Sequence, residues 1–364
     1  MVHRTPSGLG TYAAHLARAL TARDAVNAYV VIRSSDSPSP IVPGERVHEV
    51  TLPGDLDTPR NLVRGRDITR LGLDVYHSLH HFLPPGLGVP RVVITLHDLI
   101  WIEHAGLIVD GRVFGAAARV ATHLFARGAM RYALRRADRV IAISDYSRSR
   151  ALARYHLEPS HVVVVPHGVD RDRFRPSAAS SSLPDKAPYF LCVGNTRPYK
   201  DIPTALRAFA MCIRERSNLR LVVVGRGDST AGLQSLAHAL RIEHAVRFAG
   251  LVSDADLLTL LQEAIALVFP SVVEGFGLPV LEAMAAGCPV IASRAPAIGD
   301  VAGGAALLCA PEVPDEFATA MMRLLEDREL RQDLRRKGCV RAAQFSWDRS
   351  AEQTLAVYEQ LLER

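Results

Sequence analysis

The sequence predicts an α/β protein built from two doubly wound parallel sheets. Short runs of Val, Ile and Leu alternate with helical stretches over nearly all of the 364 residues. Apolar runs of this kind are typical of parallel strands that are buried on both faces. At roughly 150 residues per domain, the length is that of two domains. A Pro- and Ser-rich segment at 173–187 separates the two arrays and has the composition of a linker.

The first array, residues 1–172, contains six predicted strands, with helices between the last three at about 112–136 and 145–156. These strands are expected at 27–32, 46–52, 74–79, 91–96, 138–144 and 161–166. The second array, residues 188–345, starts again with a strand. Its strands are expected at 189–194, 220–225, 246–250, 265–270 and 289–293. Its helices are expected at 203–217, 229–241, 254–264 and 278–286, with further helices from 314 onward. Residues 346–364 are predicted to form a closing helix. Because parallel sheets bind ligands at the carboxyl ends of their strands, the expected site is a cleft between the two sheets.

Composition excludes several classes of protein. With 48% hydrophobic and 22% charged residues, the chain is neither disordered nor fibrous. Five cysteines without a C-x-x-C pair argue against a disulfide framework or a zinc cluster and favour a reducing compartment. We find no signal peptide and no spanning helix in the sequence, and we therefore predict a cytoplasmic protein.

Positive charge is concentrated in the first array. Residues 1–170 hold 20 Arg against 15 acidic residues, so this part carries the whole net charge of +5. Such a surface favours anionic partners, including the inner face of a membrane, but the excess is too small to favour nucleic acid. Only three of the 43 basic residues are lysines, and Lys200 is one of them.

One segment of the second array carries the strongest signal for chemistry. It contains Glu274 and Glu282, with seven residues between them. Glu274 follows a predicted strand in a turn whose glycines at 275 and 277 allow close backbone approach. We expect Glu282 in the first turn of the next helix, where side chains lean back toward the N-terminus. The N–H groups of residues 276–278 at that helix start can bind a phosphate. Two carboxylates beside a phosphate cradle suit the hydroxyls of a sugar and of a ribose.

This segment resembles the E-x7-E signature of retaining GT-B glycosyltransferases, in particular glycosyltransferase family 4. Similar stretches follow in the family's order along nearly the whole chain. They are PSGLGTY at 6–12, TLHDLIWIEH at 95–104, ADRVIAISDYSRSR at 137–150, VVVVPHGVDRDRF at 162–174, VGNTRPYKD at 193–201 and WDRSAEQTLAVYEQLL at 347–362. The resemblance implies the GT-B fold, in which two Rossmann-like domains face a central cleft. It also implies that the closing helix returns to the N-terminal domain.

For the second domain, the resemblance implies a set of residues that bind the sugar donor. Glu274 would contact the donor sugar, Glu282 the ribose hydroxyls and Lys200 the diphosphate, where its charge would stabilise the departing phosphate. The donor phosphates would be held by the backbone of Gly275, Phe276, Gly277 and Leu278. The family often has arginine where this chain has Asn195, and Arg197 is our candidate replacement.

For the first domain, the resemblance implies that His97 faces the donor sugar, which completes a catalytic set with Glu274 and Lys200. Gly8 and Gly10 would allow the backbone to approach donor or acceptor, Gly10 on the donor side and Gly8 on the acceptor side. The family has a strand before this glycine loop, whereas here only seven residues precede Gly8. Either the natural start lies further upstream, or the first sheet lacks a strand.

Two other polar patterns admit more than one interpretation. His77, His80 and His81 suggest a metal site, but no carboxylate or cysteine completes a ligand set, and the family needs no dedicated metal; we predict no metal and no cofactor. A basic stripe recurs every four residues on one predicted helix, and it could contact a lipid-phosphate acceptor or an anionic membrane, or be a solvated face. The stripe consists of Arg119, His123, Arg127, Arg131 and Arg135.

The resulting prediction is a retaining hexosyltransferase of cell-surface polysaccharide or glycolipid synthesis. It would move a hexose from a nucleoside diphosphate sugar to a hydroxyl on a glycan or lipid-linked acceptor. Mannose and glucose are the leading candidates for this hexose. Two alternatives stay open: a non-catalytic nucleotide-sugar binding protein, and a sugar-nucleotide epimerase of the same fold. A phosphorylase is disfavoured, because Lys200 in its turn is poorly placed to bind a cofactor. The sequence does not identify the base, the acceptor or the oligomeric state.

Overall fold

A computed structural model describes residues 8–34, 45–52, 64–107, 116–174, 187–227 and 229–363. The chain divides into two compact units. The N-terminal unit consists of Met1–Ile102, Val120–Gly168 and Phe345–Arg364, and the C-terminal unit of Glu103–Arg119 and Val169–Gln344. Both are α/β units with parallel sheets, as the sequence predicts. Most of the predicted linker, residues 175–186, lies outside the described residues.

The N-terminal unit contains two parallel sheets. The strands are β1 (Tyr29–Ser34), β2 (Val47–Leu52), β3 (Val75–Ser78), β4 (Arg91–Leu96), β5 (Arg139–Ala142) and β6 (Val162–Val164). β1 pairs with β2 alone, and the other four form a sheet in the order β3-β4-β5-β6. In the described part of this unit no strand joins the two sheets.

The helices of the first array cover these sheets. They are α1 (Gly8–Arg23), α2 (Gly65–Thr69), α3 (Ile100–Glu103), α4 (Ala116–Arg136) and α5 (Asp145–Tyr155). α5 begins where Ser144 caps it, because the Ser144 hydroxyl accepts a hydrogen bond from the Ser147 N–H at 3.1 Å. Val92, Ile94 and Val140 are fully buried between strands and helices, which explains why the strands are continuous apolar runs.

The closing helix α13 (Trp347–Leu362) packs in the N-terminal unit, as the sequence predicts. Val357 and Leu361 lie against the fully buried Val93 and Ile141. The Ser350 hydroxyl also donates to the carbonyl of Pro166 at 2.6 Å. The helix therefore belongs to the core of a unit that begins more than three hundred residues earlier.

The C-terminal unit contains one sheet of six parallel strands. They are β7 (Tyr189–Val193), β8 (Arg220–Val224), β9 (Val246–Gly250), β10 (Ala266–Phe269), β11 (Val290–Ser293) and β12 (Leu307–Cys309). Their order is β12-β11-β10-β7-β8-β9. The order reverses between β7 and β10, the point at which doubly wound sheets bind their ligands.

Helices lie along this sheet in the second array. They are α6 (Ile202–Glu215), α7 (Thr230–Ala239), α8 (Asp254–Glu263), α9 (Leu278–Ala285), α10 (Pro296–Ala302), α11 (Pro314–Glu326) and α12 (Arg328–Ala342). Leu206, Phe209 and Phe317 are fully buried in the core of this unit. This core fixes the positions of the strand ends, and the candidate site lies at those strand ends.

The structure differs from the sequence predictions in several elements, and the short helices α2 and α3 are among those that were not predicted. β12 was not predicted, because three residues are too short for a hydrophobic pattern. α10 was not predicted either. The segment expected as a glycine loop is helical from Gly8 onward, so Gly8 and Gly10 lie in the first turn of α1. Among the helices that the structure describes, none is long and apolar enough to cross a membrane.

Candidate functional site

Two turns at the reversal point of the C-terminal sheet bring the predicted donor residues together. One turn follows β7 and carries residues 194–200, and the other follows β10 and carries residues 270–277. The backbone ties the turns directly, because the Val272 N–H donates to the carbonyl of Tyr199 at 2.8 Å. Side chains of two segments far apart in sequence therefore share one location.

A buried ion pair lies at the centre of this location. Lys200 Nζ is 2.6 Å from Glu274 Oε1, and each side chain is only 10% exposed. The ammonium also lies 4.9 Å from the ring centroid of Phe269 at the end of β10. Sequence analysis assigned Lys200 and Glu274 to diphosphate and sugar, and in the structure they are each other's partners. An ammonium has three donors, so Lys200 can hold Glu274 and still donate to an anion.

The β7 turn is shaped by a close approach of two backbones. Gly194 donates its N–H to the carbonyl of Val224 at 3.0 Å, and Gly225 follows β8 at once with φ of +134°. A Cβ on Gly225 would come within 1.8 Å of the Gly194 oxygen, so only glycine fits there. This approach fixes the direction in which the turn leaves the sheet.

Asn195 and Arg197 lie in the same turn, with different surroundings. Asn195 Oδ1 accepts the Arg197 N–H at 3.2 Å, and its amide nitrogen donates to the Tyr199 hydroxyl at 3.3 Å. Asn195 therefore stabilises the turn itself. Arg197 is exposed, so its side chain is accessible to an anionic ligand.

The second turn ends in the N-terminus of α9. Gly277 has φ of +98° and is the N-cap of the helix, which begins at Leu278. Because glycine has no side chain, no side-chain hydrogen bond caps this end, and the helix dipole favours an anion there. Phe276 is buried beside it. Glu282 lies in the second turn of α9, so its predicted position in the first turn is wrong by about one residue.

Glu282 lies in an environment that disfavours its charge. Burial raises the pKa of this carboxyl to about 7, although the positive charge of Arg173 opposes the shift and Asp254 adds to it. Arg173 Nη2 is itself 2.6 Å from Asp254 Oδ1. A carboxyl with this pKa is partly protonated near neutral pH, and hydrogen bonds from two hydroxyls would favour its ionised form.

Sequence reasoning missed Arg173 and Asp254 as neighbours of Glu282. Arg173 fell in the predicted linker, and Asp254 at the start of the helix predicted at 254–264. In the structure Asp254 does lie in the first turn of α8, which is capped by Ser253. Their proximity to Glu282 depends on contacts distant in sequence, and no local pattern indicates it.

His97 belongs to the N-terminal unit and follows the last residue of β4, as the sequence predicts. It is buried, and its Nε2 is 2.9 Å from the carbonyl of Leu79. Since a carbonyl only accepts, Nε2 carries the proton and Nδ1 is left as an acceptor. Burial lowers the pKa of His97 to about 4. A neutral ring with an acceptor nitrogen can bind a hydroxyl but brings no positive charge.

Several aromatic rings surround His97, and sequence reasoning gave none of them a role. The Tyr12 ring meets it edge-on with centroids 4.9 Å apart, and His167 lies at 5.6 Å. Tyr12 also stacks on His167 at 4.8 Å, and His167 lies 5.9 Å from Trp347. Tyr12 belongs to the stretch at 6–12 and His167 to the stretch at 162–174. The sequence motifs therefore contained both residues, but they did not indicate that the two rings are in contact.

The histidines considered as metal ligands are used otherwise. His77 Nδ1 is 2.6 Å from the Tyr358 hydroxyl, and its Nε2 is 2.9 Å from Thr95 Oγ1. The rings of His80 and His81 lie against each other, with centroids 3.9 Å apart. The two contacts of His77 join β3 to α13 and to β4.

The remaining predicted residues lie on α1 and α4. Gly8 is exposed and Gly10 buried in the first turn of α1. Arg127 and Arg131 are exposed on α4, as the stripe predicts. The side chain of Arg119 lies outside the described residues.

Comparison with known proteins agrees with this architecture. Residues 6–173 match a family model described as Glycosyltransferase Family 4, and residues 174–340 match one described as Glycosyl transferases group 1. D-inositol 3-phosphate glycosyltransferase from Kineococcus radiotolerans is 31% identical over 98% of this chain and 91% of that protein. O-antigen chain mannosyltransferase B from Escherichia coli is 29% identical over 79% of this chain and 74% of that protein.

Solved structures show the same fold at lower identity. WaaG, a glycosyltransferase involved in lipopolysaccharide biosynthesis, is 18% identical with a TM-score of 0.75, over 97% of this chain and 96% of that one. Anabaena HepE, crystallised with UDP and glucose, is 18% identical with a TM-score of 0.74, over 99% of this chain and 98% of that one. At these identities the similarity establishes the fold alone.

Proposed function

Since the chain belongs to the family 4-type glycosyltransferases of the GT-B fold, we propose that it transfers a hexose from a nucleoside diphosphate sugar with retention of configuration. The observation that carries the proposal is the buried Lys200–Glu274 pair in the turn that leads into α9. A cation, a carboxylate and a helix N-terminus at one point match the charges and hydroxyls of such a donor.

The donor would bind across the two turns of the C-terminal unit. Lys200 and the N–H groups at the start of α9 receive the diphosphate, with Arg197 and Asn195 on the turn beside it. Glu274, oriented by Lys200, accepts hydroxyls of the sugar, and Glu282 accepts those of the ribose. Gly275 and Gly277 leave the backbone accessible to the phosphates.

Transfer would proceed on the face of the sugar that the diphosphate leaves. The acceptor hydroxyl oxygen forms a bond to the anomeric carbon as the bond to the β-phosphate oxygen breaks. That phosphate oxygen takes the hydroxyl proton, so no side chain forms a covalent intermediate. Lys200 stabilises the negative charge that develops on the departing diphosphate. His97, neutral and with Nδ1 as an acceptor, binds a hydroxyl of the transferred sugar.

The acceptor would be an anionic glycan or lipid-linked sugar. Residues 1–170 carry the whole net charge of +5, and a relative is named for D-inositol 3-phosphate. On α4, Val120, Leu124 and Phe125 are 59%, 62% and 46% exposed beside Arg127 and Arg131. Apolar and basic side chains on one helix suit peripheral contact with an anionic membrane at its cytoplasmic face.

The function is tested by incubation with donors and acceptors. UDP-glucose, GDP-mannose and ADP-glucose are first screened by thermal shift, because a bound donor raises the melting temperature. The selected donor is then mixed with D-inositol 3-phosphate or a lipid-linked glycan, and the anomeric configuration of the product is read by NMR. Free nucleoside diphosphate with an α-linked product from an α-linked donor supports the proposal.

Other outcomes assign the site differently. Conversion of the donor to an isomeric sugar would identify an epimerase, and donor binding without turnover on any acceptor would identify a binding protein. We also propose that transfer needs no dedicated metal ion, so the rate should persist after treatment with EDTA. If EDTA abolishes turnover and added Mg²⁺ or Mn²⁺ restores it, the proposal that no metal ion is needed is contradicted.

A further inference from the structure

Three side-chain hydrogen bonds form a continuous line across the N-terminal unit, from the closing helix to the first helix. The Tyr358 hydroxyl on α13 lies 2.6 Å from His77 Nδ1, and His77 Nε2 lies 2.9 Å from Thr95 Oγ1. Thr95 Oγ1 lies 3.0 Å from the hydroxyl of Tyr12 on α1. We call these four residues the polar chain; it connects α13, β3, β4 and α1.

The Tyr12 end of the polar chain lies against His97. The two rings meet edge-on, at 88° and with centroids 4.9 Å apart. Tyr12 is 1% exposed and Thr95 is fully buried, and Thr95 precedes His97 by only two residues. In a close-packed interior, a ring changes its orientation only when its neighbours move. Whatever fixes Tyr12 therefore also fixes the ring of His97.

The polar chain is uncharged near neutral pH. Burial lowers the pKa of His77 to about 3, and it raises the pKa values of Tyr12 and Tyr358 above that of an exposed tyrosine. All titratable members are therefore neutral at pH 7. A neutral imidazole has one nitrogen that donates and one that accepts, so His77 carries a single proton between two hydroxyl partners.

That proton lies on Nε2 of His77. At 2.6 Å, the contact between the Tyr358 hydroxyl and His77 Nδ1 is shorter than the range of about 2.7–3.2 Å that N–H···O bonds adopt, so the phenol donates to Nδ1. Nε2 then donates to Thr95 Oγ1. Without the Tyr358 hydroxyl, either nitrogen of His77 could carry the proton, and Thr95 would no longer be fixed as its acceptor. The bond between Thr95 and Tyr12 would then lose its fixed direction, because hydrogen bonds in a chain are coupled.

We propose that Tyr358 and His77 are positioning residues for sugar transfer. Through Thr95 they hold Tyr12 in place, and Tyr12 holds the ring of His97 in the orientation in which Nδ1 accepts a hydroxyl of the transferred sugar. The inference rests on the proposed function, because it depends on the role assigned there to His97. It gives the closing helix α13 a part in the reaction besides its place in the core.

The test removes one hydroxyl at a time. Tyr358→Phe and Thr95→Val delete a hydroxyl with little change in shape, whereas Thr95→Ser keeps the hydroxyl and should behave like the wild type. The matched control is Tyr29→Phe, since the Tyr29 hydroxyl donates to Asp24 Oδ2 at 2.5 Å in the same unit and outside the polar chain. Every variant is measured well below its melting temperature, so that loss of folded protein does not contribute.

The first readout is the NMR spectrum of isotope-labelled histidine rings, which needs no substrate. The signals of His97 are assigned with the variant His97→Gln, and the nitrogen shifts of His77 in the wild type should be those of the Nε2–H tautomer. The His97 signals should shift in Tyr358→Phe and Thr95→Val, because the neighbouring ring is no longer held in place. They should keep their wild-type positions in Thr95→Ser and in the matched control.

The second readout separates turnover from binding. In Tyr358→Phe and Thr95→Val, kcat should fall at least about fivefold, equivalent to about 1 kcal/mol of transition-state stabilisation. The Kd of UDP or GDP, measured by calorimetry, should stay unchanged, because the diphosphate binds residues of the C-terminal unit in the proposed function. The double variant Tyr358→Phe/Thr95→Val should be no slower than the slower single variant, because one break already uncouples the polar chain.

The proposal fails if the His97 signals keep their wild-type positions in Tyr358→Phe, or if Tyr29→Phe shifts them equally. It also fails if the losses of turnover in the two single variants multiply in the double variant, as independent effects do. If the His97 signals shift while Tyr358→Phe keeps wild-type turnover, transfer does not depend on the polar chain and the proposal is overturned. A wild type that transfers no hexose would contradict the proposed function instead, and the His97 signals would still decide whether the polar chain positions this ring.

Discussion

The buried Lys200–Glu274 pair should affect both the stability of the C-terminal unit and, if the proposed function holds, its turnover. Both side chains are nearly buried, and the distance between Lys200 Nζ and Glu274 Oε1 is 2.6 Å. Replacing one partner leaves an uncompensated charge in a desolvated site. We expect Lys200→Met to lower the free energy of unfolding by about 3–5 kcal/mol, as measured in urea. The double variant Lys200→Met/Glu274→Gln should recover most of this loss, because no unpaired charge remains.

The same variants separate folding from catalysis. If Lys200 stabilises the departing diphosphate, the double variant should fold well and still turn over more than tenfold more slowly than the wild type. Lys337→Met is the matched control, because Lys337 pairs with Asp333 on the surface, and we expect little change in stability or rate. Wild-type turnover in the double variant would remove Lys200 from the catalytic set.

Glu282 predicts a pH dependence of donor binding. The pKa of Glu282 is about 7. To accept hydrogen bonds from both hydroxyls of a ribose, the carboxyl must be ionised. Donor affinity should therefore be about tenfold weaker at pH 6 than at pH 8, with a proton released on binding at low pH. Calorimetry with an intact nucleotide sugar measures both quantities. At pH 8, Glu282→Gln should bind the donor more weakly than the wild type does, and its donor affinity should no longer depend on pH. If the affinity of this variant still depends on pH, another group titrates.

At the scale of secondary-structure elements, the close approach of Gly194 and Gly225 fixes the turn that follows β7. Gly225→Ala would place a Cβ 1.8 Å from the Gly194 oxygen at φ of +134°. We expect it to lower the free energy of unfolding by at least about 2 kcal/mol and to weaken donor binding. Gly232→Ala in α7 meets open space and should be neutral or stabilising by up to about 1 kcal/mol. Unfolding in urea compares the two, and equal stability would contradict this account of the turn.

Elements could be predicted from the sequence wherever local physics decides them. Continuous apolar runs gave β4, β7 and β8 nearly to the residue, because central parallel strands are buried on both faces. β12 has only three residues and carries no such pattern. The start of α1 at Gly8 was also unexpected, since glycine is a poor helix former and indicates a loop when its context is unknown.

The candidate site was predictable in composition but not in contacts. Glu274, Glu282 and the glycine turn belong to one short segment, so their spacing alone places them together. The partnership of Lys200 with Glu274, and the proximity of Arg173 to Glu282, depend on how β7, β10 and residues 169–174 are arranged in three dimensions. Sequence spacing holds no information on such pairs, which explains why the roles of Lys200 and Glu274 were assigned separately.

At the scale of the whole molecule, the two units should respond to acid in opposite directions. In the N-terminal unit, burial lowers the pKa of His97 to about 4 and those of His77 and His81 to about 3, and it lowers that of His167 well below its usual value. Between these values and the unfolded value of about 6.5, the unfolded chain binds more protons. Stability there is complete above pH 6.5 and is lost as the pH falls, by up to about 1.4 kcal/mol per pH unit for each histidine.

In the C-terminal unit, the pKa shift of Glu282 changes stability with pH in the opposite direction. Its pKa of about 7 lies above the ordinary value of 4.5, so the folded unit binds the extra proton and its stability rises as the pH falls from 7 toward 4.5. Amide exchange, corrected for its intrinsic pH dependence, should therefore show faster opening of β4 and β5 at pH 5.5 than at pH 7, and slower opening of β7 and β10. Glu282→Gln should abolish the second trend and leave the first. Parallel trends in both units of the wild type would contradict the assignment of these protons to separate cores.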